Sequence, residues 1–230
     1  MTITLKGISS MATRQLLARL VEVYEQQSGS RIQIESVGGV DAAKRVKSGE
    51  AFDVVILASD AIDKLIADGH LLAGSRVDIV QSPVAIAIKS GAARAMITPA
   101  NSLKASLFAA KSISYSTGPS GVYLVGLFEK MGIAELLKAK TVVPPPGVPV
   151  GSLVAKGEAE LGFQQLSELI NVDGIEVLGT LPEDIAYITT FSAGIPIHAS
   201  SPAAVEQFLA FLNSAQAIPI KESQGMTPAN

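Results

Sequence analysis

Short apolar or alternating runs in this chain stop at small and hydroxyl residues, and a helical apolar period begins just beyond them. Residues 3–5 predict a strand, Gly7-Ile8-Ser9-Ser10 a loop, and Leu16, Leu17, Leu20, Val21 and Tyr24 one face of a helix that Gly29 ends. Arg31-Ile32-Gln33-Ile34-Glu35-Ser36-Val37 alternates as a strand before Gly38-Gly39, and the helix after it carries Lys44 and Arg45. Phe52-Asp53-Val54-Val55-Ile56-Leu57 is almost continuously apolar, which predicts a parallel strand buried on both faces. It ends at Ala58-Ser59-Asp60, and a helix follows through Ile62, Leu65 and Ile66 to Gly69. Three strand–loop–helix units in succession predict a doubly wound α/β domain, in which ligands bind outside the carboxyl ends of the strands.

The run 77–89 is too long for an ordinary strand and holds a proline, so it predicts a crossing segment bent at Ser82-Pro83 into a second domain. There the pattern predicts helices over 103–110, 121–130 and 132–138, and a strand over 140–143 running into the stiff Pro144-Pro145-Pro146-Gly147-Val148-Pro149. A helix over 150–156, a strand over 160–163, a short helix opening at Gln164, and strands over 175–178 and 187–195 complete the reading. The last strand returns the chain to the first domain, which a helix over 202–213 closes, and the end around Gly225 reads as loosely structured. The expected fold is α/β: two doubly wound lobes joined by a two-strand hinge, lobe 1 from 1–81 and 192–230, lobe 2 from 82–191, with a ligand cleft between them. The two linkers predict hinge closure over ligand.

The stretch Ser112 to Tyr123 concentrates the candidate chemistry. A β-branched and aromatic run ends at Tyr115, then Ser116, Thr117, Ser120 and Gly121 precede the apolar helical positions. Free N–H groups at such a helix start, with hydroxyls beside them, form an anion site, although Thr117 or Ser120 could equally serve as a cap. Ser9 and Ser10 repeat the arrangement, with Arg14 one turn into the following helix and able to reach an anion over the loop.

Composition narrows the function classes. The 230 residues are 48% hydrophobic, 17% charged and 5% aromatic without tryptophan, and the net charge is −3. A pI near 5.5 and so few aromatics leave neither the basic footprint nor the stacking platforms of a nucleic-acid binder. There is no cysteine and only His70 and His198, both expected at the surface, so neither a metal site nor a cofactor is expected. No apolar run approaches the roughly 18 residues of a membrane span. The start of the chain has no basic and apolar leader, so the protein as given is expected in the cytoplasm, or in the periplasm if a signal peptide was removed.

The ordered set Ser9-Ser10, Lys47-Ser48-Gly49-Glu50-Ala51-Phe52-Asp53-Val54-Val55-Ile56, Ser75-Arg76-Val77-Asp78 and Gly157-Glu158-Ala159-Glu160-Leu161-Gly162-Phe163 resembles the type II periplasmic solute-binding proteins, in their molybdate-binding-protein-like branch. The resemblance implies one small anion held by hydroxyls and backbone N–H groups: Ser9, Ser10, Gly38, Gly39, Ser59 and the 116–121 loop, with Gly147-Val148 and Gln164 facing them. An exported member would deliver it to an ABC permease. The branch places a tyrosine late in the second lobe, where this chain has Gln164-Gln165. Residues 157–169, Ser114-Tyr115-Ser116 and Phe191-Ser192-Ala193-Gly194 look closer to a sub-branch that includes aconitate isomerase. That likeness implies a tricarboxylate and an allylic proton shift, with Arg14, Lys44 or Arg45 available to carboxylates and Tyr115, Tyr123 or His198 to the proton; it marks none of them as catalytic. Anion binding without chemistry and aconitate isomerisation both stand open at this point.

Overall fold

The structure, a computed structural model, describes residues 3–145 and 147–229. In chain order the elements are β1 (Thr4–Ser10), α1 (Arg14–Ser28), β2 (Arg31–Val37), α2 (Gly39–Lys47), β3 (Val54–Ala58), α3 (Ser59–Ala67) and β4 (Val77–Lys89). Then come α4 (Ala100–Ala109), β5 (Ile113–Tyr115), α5 (Pro119–Lys130), α6 (Ala134–Lys138), α7 (Val150–Lys156), β6 (Leu161–Gln165), α8 (Leu166–Leu169) and β7 (Ile175–Thr180). The chain finishes with β8 (Ile188–Gly194), α9 (Pro202–Leu212), α10 (Ile218–Ser223) and β9 (Thr227–Pro228). It divides into two compact units, Met1–Gln81 with Thr190–Asn230, and Ser82–Thr189.

In the first unit β1 runs parallel to β2 and, on its other side, to β3. β8 lies antiparallel on β3, with Val55 opposite Gly194 and Ala58 opposite Phe191. Val54 and Ile56 pack into one core with Leu5, Leu20, Phe191 and Phe208, while Val55 and Leu57 pack into another with Ile8, Val46, Ile62 and Leu65. Helices therefore cover both faces of β3, which is why its sequence is apolar without alternation. Ser9 and Ser10 are the last residues of β1, paired with Ser36 and Val37, and not members of a loop. The loose C-terminus expected from sequence is instead α10 and β9: β9 pairs with Val80 and Gln81, Met226 enters the core, and the buried Lys221 donates from Nζ to the Ile79 carbonyl at 2.8 Å.

In the second unit the far half of β4 pairs antiparallel with β6 and β7, and β5 lies parallel on β6. β4 is one continuous strand where a bend was expected. Pro83, which lacks an N–H, falls between the stretch paired with β9 and the stretch paired with β6 that begins at Val84, where the partner on that edge changes. Residues 140–143 form no extended strand, only a bridge of Thr141 to Ile113, and Pro146 of the proline run lies outside the described residues. Gln164 and Gln165 end β6 instead of opening a helix, because Ala85 and Val84 pair with them. Gly162 lets α7 pack tightly on β6: a Cβ there would stand 2.4 Å from Val154 Cγ2.

Candidate functional site

Parallel pairing of β1 and β2 sets their carboxyl ends side by side, so the serines of one strand meet the glycines after the other. The ideal Cβ position of Gly39 lies 3.9 Å from Ser10 Cβ. Gly38 stands at the start of α2 without a side-chain cap, leaving first-turn N–H groups of that helix open. Ser9 Oγ is spent on Ser36 Oγ at 2.8 Å, and the residue is fully buried. Ser10 Oγ is different: it is sealed from solvent and takes no hydrogen-bond partner among the described residues. Ser59, the first residue of α3, donates its hydroxyl to the Thr190 carbonyl at 2.9 Å. Arg14 begins α1, is exposed, and makes no ion pair among the described residues.

The second unit repeats this strand-end arrangement after β5. Gly118, not Thr117 or Ser120, occupies the cap position of α5, with Pro119 in the first turn and no side-chain cap. Ser116 Oγ and Ser120 Oγ bond each other at 2.8 Å, and Thr117 is exposed. Gly121 is required by space, since a Cβ on it would stand 1.6 Å from the Ser116 carbonyl oxygen. Tyr115 sets its ring edge-on to Phe128, and its hydroxyl takes no partner among the described residues. Tyr123 is committed elsewhere: its hydroxyl donates to the Ile185 carbonyl at 2.9 Å and its ring stacks on Tyr187, with burial pushing the phenol up.

At the end of β6 the polar groups form a chain. The Val150 N–H donates to Gln164 Oε1 at 3.0 Å, and Gln164 Nε2 donates to Glu168 Oε1 at 2.8 Å. Burial pushes the Glu168 carboxyl up to about 7, against the Gln164 bond, which favours its charged form. Gln165 donates from Nε2 to Thr189 Oγ1 at 2.6 Å, while among the described residues its Oε1 is buried without a partner, as is Ser114 Oγ on β5. Val148 spends its N–H on the Pro145 carbonyl.

Of the cations considered for carboxylates, Arg45 is saturated by a two-point pair with Glu35 and another with Glu50. Lys44 is exposed beside Asp41. His198 is exposed and His70 half-buried. Among the described residues no group of three or more His, Cys, Asp or Glu could hold a metal ion, and no helix is long and apolar enough to cross a membrane. Sequence reasoning passed over Glu168; the available signal was an acid four residues after a glutamine at a strand end, one helical turn away.

Comparison with known proteins gives these features a family. Residues 5–227 match the model described as bacterial extracellular solute-binding protein. The chain is 36% identical over 231 residues to aconitate isomerase from a Pseudomonas species, covering 98% of this chain and 88% of that protein. It is 29% identical over 150 residues to the molybdate-binding protein ModA of Azotobacter vinelandii, covering 64% of this chain and 58% of that protein. The solved Azotobacter vinelandii periplasmic molybdate-binding protein superposes with a TM-score of 0.82 at 20% identity, over 98% of this chain and 100% of that one. The two-unit α/β architecture expected from sequence is thus the fold of periplasmic binding proteins, and the chain belongs to the bacterial extracellular solute-binding protein family.

Proposed function

We propose that this chain binds a small di- or tricarboxylate through its strand-end loops and interconverts cis- and trans-aconitate. The observation that carries the reading is the carboxyl just after β6: Glu168, held on one oxygen by Gln164 Nε2 and pushed up by burial, is a protonatable group. A tetraoxyanion carries no carbon-bound proton for such a carboxyl to take; a carboxylate bearing an acidic C–H does. The likeness to aconitate isomerase, over 98% of this chain and 88% of that protein, supports the same choice. In this reading Ser10, Gly38, Gly39, Ser116, Thr117, Ser120 and Gly121, with the first-turn N–H groups of α2 and α5, hold carboxylates, and Arg14 and the Tyr115 hydroxyl add donors. Ser9, Ser59, Val148 and Gln164, whose hydrogen bonds are committed within their own units, position the loops.

The test is direct. Cis-aconitate mixed with the protein should lose its own proton NMR signals as those of the trans isomer appear. No turnover, together with thermal stabilisation by molybdate, tungstate or sulfate, overturns the isomerase reading.

That outcome would establish the second reading, an oxyanion receptor that acts without chemistry. It is favoured by the uncapped starts of α2 and α5 and by the molybdate-binding relative. In that case the protein works in the periplasm and hands its anion to an ABC permease.

A further inference from the structure

Glu168 combines three properties not found together elsewhere among the described acidic side chains. It is half-buried with no cation paired to it, one of its oxygens is fixed, and the other is open. The fixing is unambiguous in chemical sense: the Val150 N–H can only donate, so the Gln164 atom facing it is the oxygen, and the amide nitrogen must face Glu168. Glu168 Oε1 is thereby held at 2.8 Å from a donor, while Oε2 takes no partner among the described residues and is not one of the atoms sealed from solvent. Burial raises its carboxyl and the Gln164 bond lowers it. Ser114, whose hydroxyl is buried and unpartnered, lies on the same face of the β5–β6 ladder as Gln164, because Ser114 pairs with Gly162, two residues before it.

We propose that Glu168 Oε2 is the base that shuttles the allylic proton of aconitate, with Gln164 as its positioning residue; this rests on the isomerase reading above. The carboxylate takes a proton from the methylene carbon of cis-aconitate. The C–H electron pair spreads over the three-carbon allyl system into the adjoining carboxylates, and the double bond moves. Glu168 then returns the same proton to the carbon that was the vinylic CH, so the old vinylic carbon becomes the methylene and the new double bond closes in the trans geometry. Atoms and charge balance with one carboxylate and no co-reactant. Burial suits the role, since a carboxyl raised toward neutrality is a stronger base than a solvated one and is still ionised in part at pH 7.

The experiment compares wild type with Glu168→Gln and Gln164→Leu. It follows cis-to-trans conversion by NMR, and binding by the shift in melting temperature with cis-aconitate. E168Q should cut kcat by at least about 100-fold, the usual scale of a lost general base, while the melting shift stays within a few-fold of wild type. Wild-type kcat should fall as pH drops below about 7, and Q164L should move that inflection to higher pH, because it removes the bond that favours the charged carboxyl. E168Q turning over within tenfold of wild type overturns the assignment. So does an unmoved inflection in Q164L, which decides the matter if E168Q does not fold. A wild type that binds cis-aconitate without converting it overturns the isomerase reading itself, and the base assignment falls with it.

Discussion

Gly121 lies directly against the carbonyl of Ser116, close enough that a Cβ would stand 1.6 Å from that oxygen. The neighbour is backbone, so no side-chain rotation relieves the clash. Gly121→Ala should therefore force the 116–121 loop away from the start of α5 and cost about 3 kcal/mol, the scale of steric strain at a fixed backbone position. Urea denaturation measures the loss, and anion-induced thermal stabilisation should fall with it.

Ser10 and Ser114 carry buried hydroxyls that nothing among the described residues satisfies. Removing an unsatisfied buried hydroxyl relieves a desolvation cost, so Ser10→Ala and Ser114→Ala should each leave stability unchanged or raise it by up to about 1 kcal/mol. Calorimetry on the unliganded proteins reads this. If Ser10 bonds the anion, S10A should also weaken binding by roughly 5- to 10-fold, the worth of one hydrogen bond to a charged partner.

Lys221 is buried against the Ile79 carbonyl and Asn213 Oδ1, and burial pulls its ammonium down from 10.5 to about 8. Between those values the unfolded chain holds more protons on this amine than the folded chain does, so the group's contribution to stability rises with pH. From pH 8 to pH 10 the stability of wild type relative to Lys221→Met should increase by about 1 to 2 kcal/mol, measured by urea unfolding of both proteins.

Glu168 has the opposite sign. Its folded value of about 7 lies above its ordinary 4.5, so the folded protein holds the extra proton in that window and stability is lost as pH rises through 7. Glu168→Gln removes this dependence and should be the more stable protein at pH 8, by up to about 3 kcal/mol. Equal stability of the two at pH 8 would show that the carboxyl is solvated.

Much of the fold was legible because periodicity reports burial directly. The unbroken apolar run of β3 and the alternation of β2 both follow from which faces are covered. What misled was polarity at strand ends. Ser9, Ser10, Gln164 and Gln165 read as loop or helix residues by composition, yet ladder bonds to partners far along the chain hold them in strands. The proline in β4 misled for the same reason, since the pairing partner changes at that point and nothing local announces it. Within the site, glycines and serines after strands were visible, but Glu168 was not: its importance comes from burial and from a glutamine oriented by a backbone N–H, neither of which a sequence pattern records. Arg45, one of three cations open to carboxylates, has the structural role: Glu35 from β2 and Glu50 after α2 converge on its guanidinium.

The second unit interrupts the first in the chain, entering after Gln81 and leaving before Thr190. On the ribosome, β1, β2 and β3 therefore emerge long before Phe191, Phe208, Leu212 and Met226, which share their core. Residues 82–189 are complete and able to close while the earlier segment still waits for its other half. The order of synthesis thus lets the inserted unit close before the core shared by β1, β3 and α9 is complete, and it leaves the apolar residues of that core in need of shielding until the last helices are made.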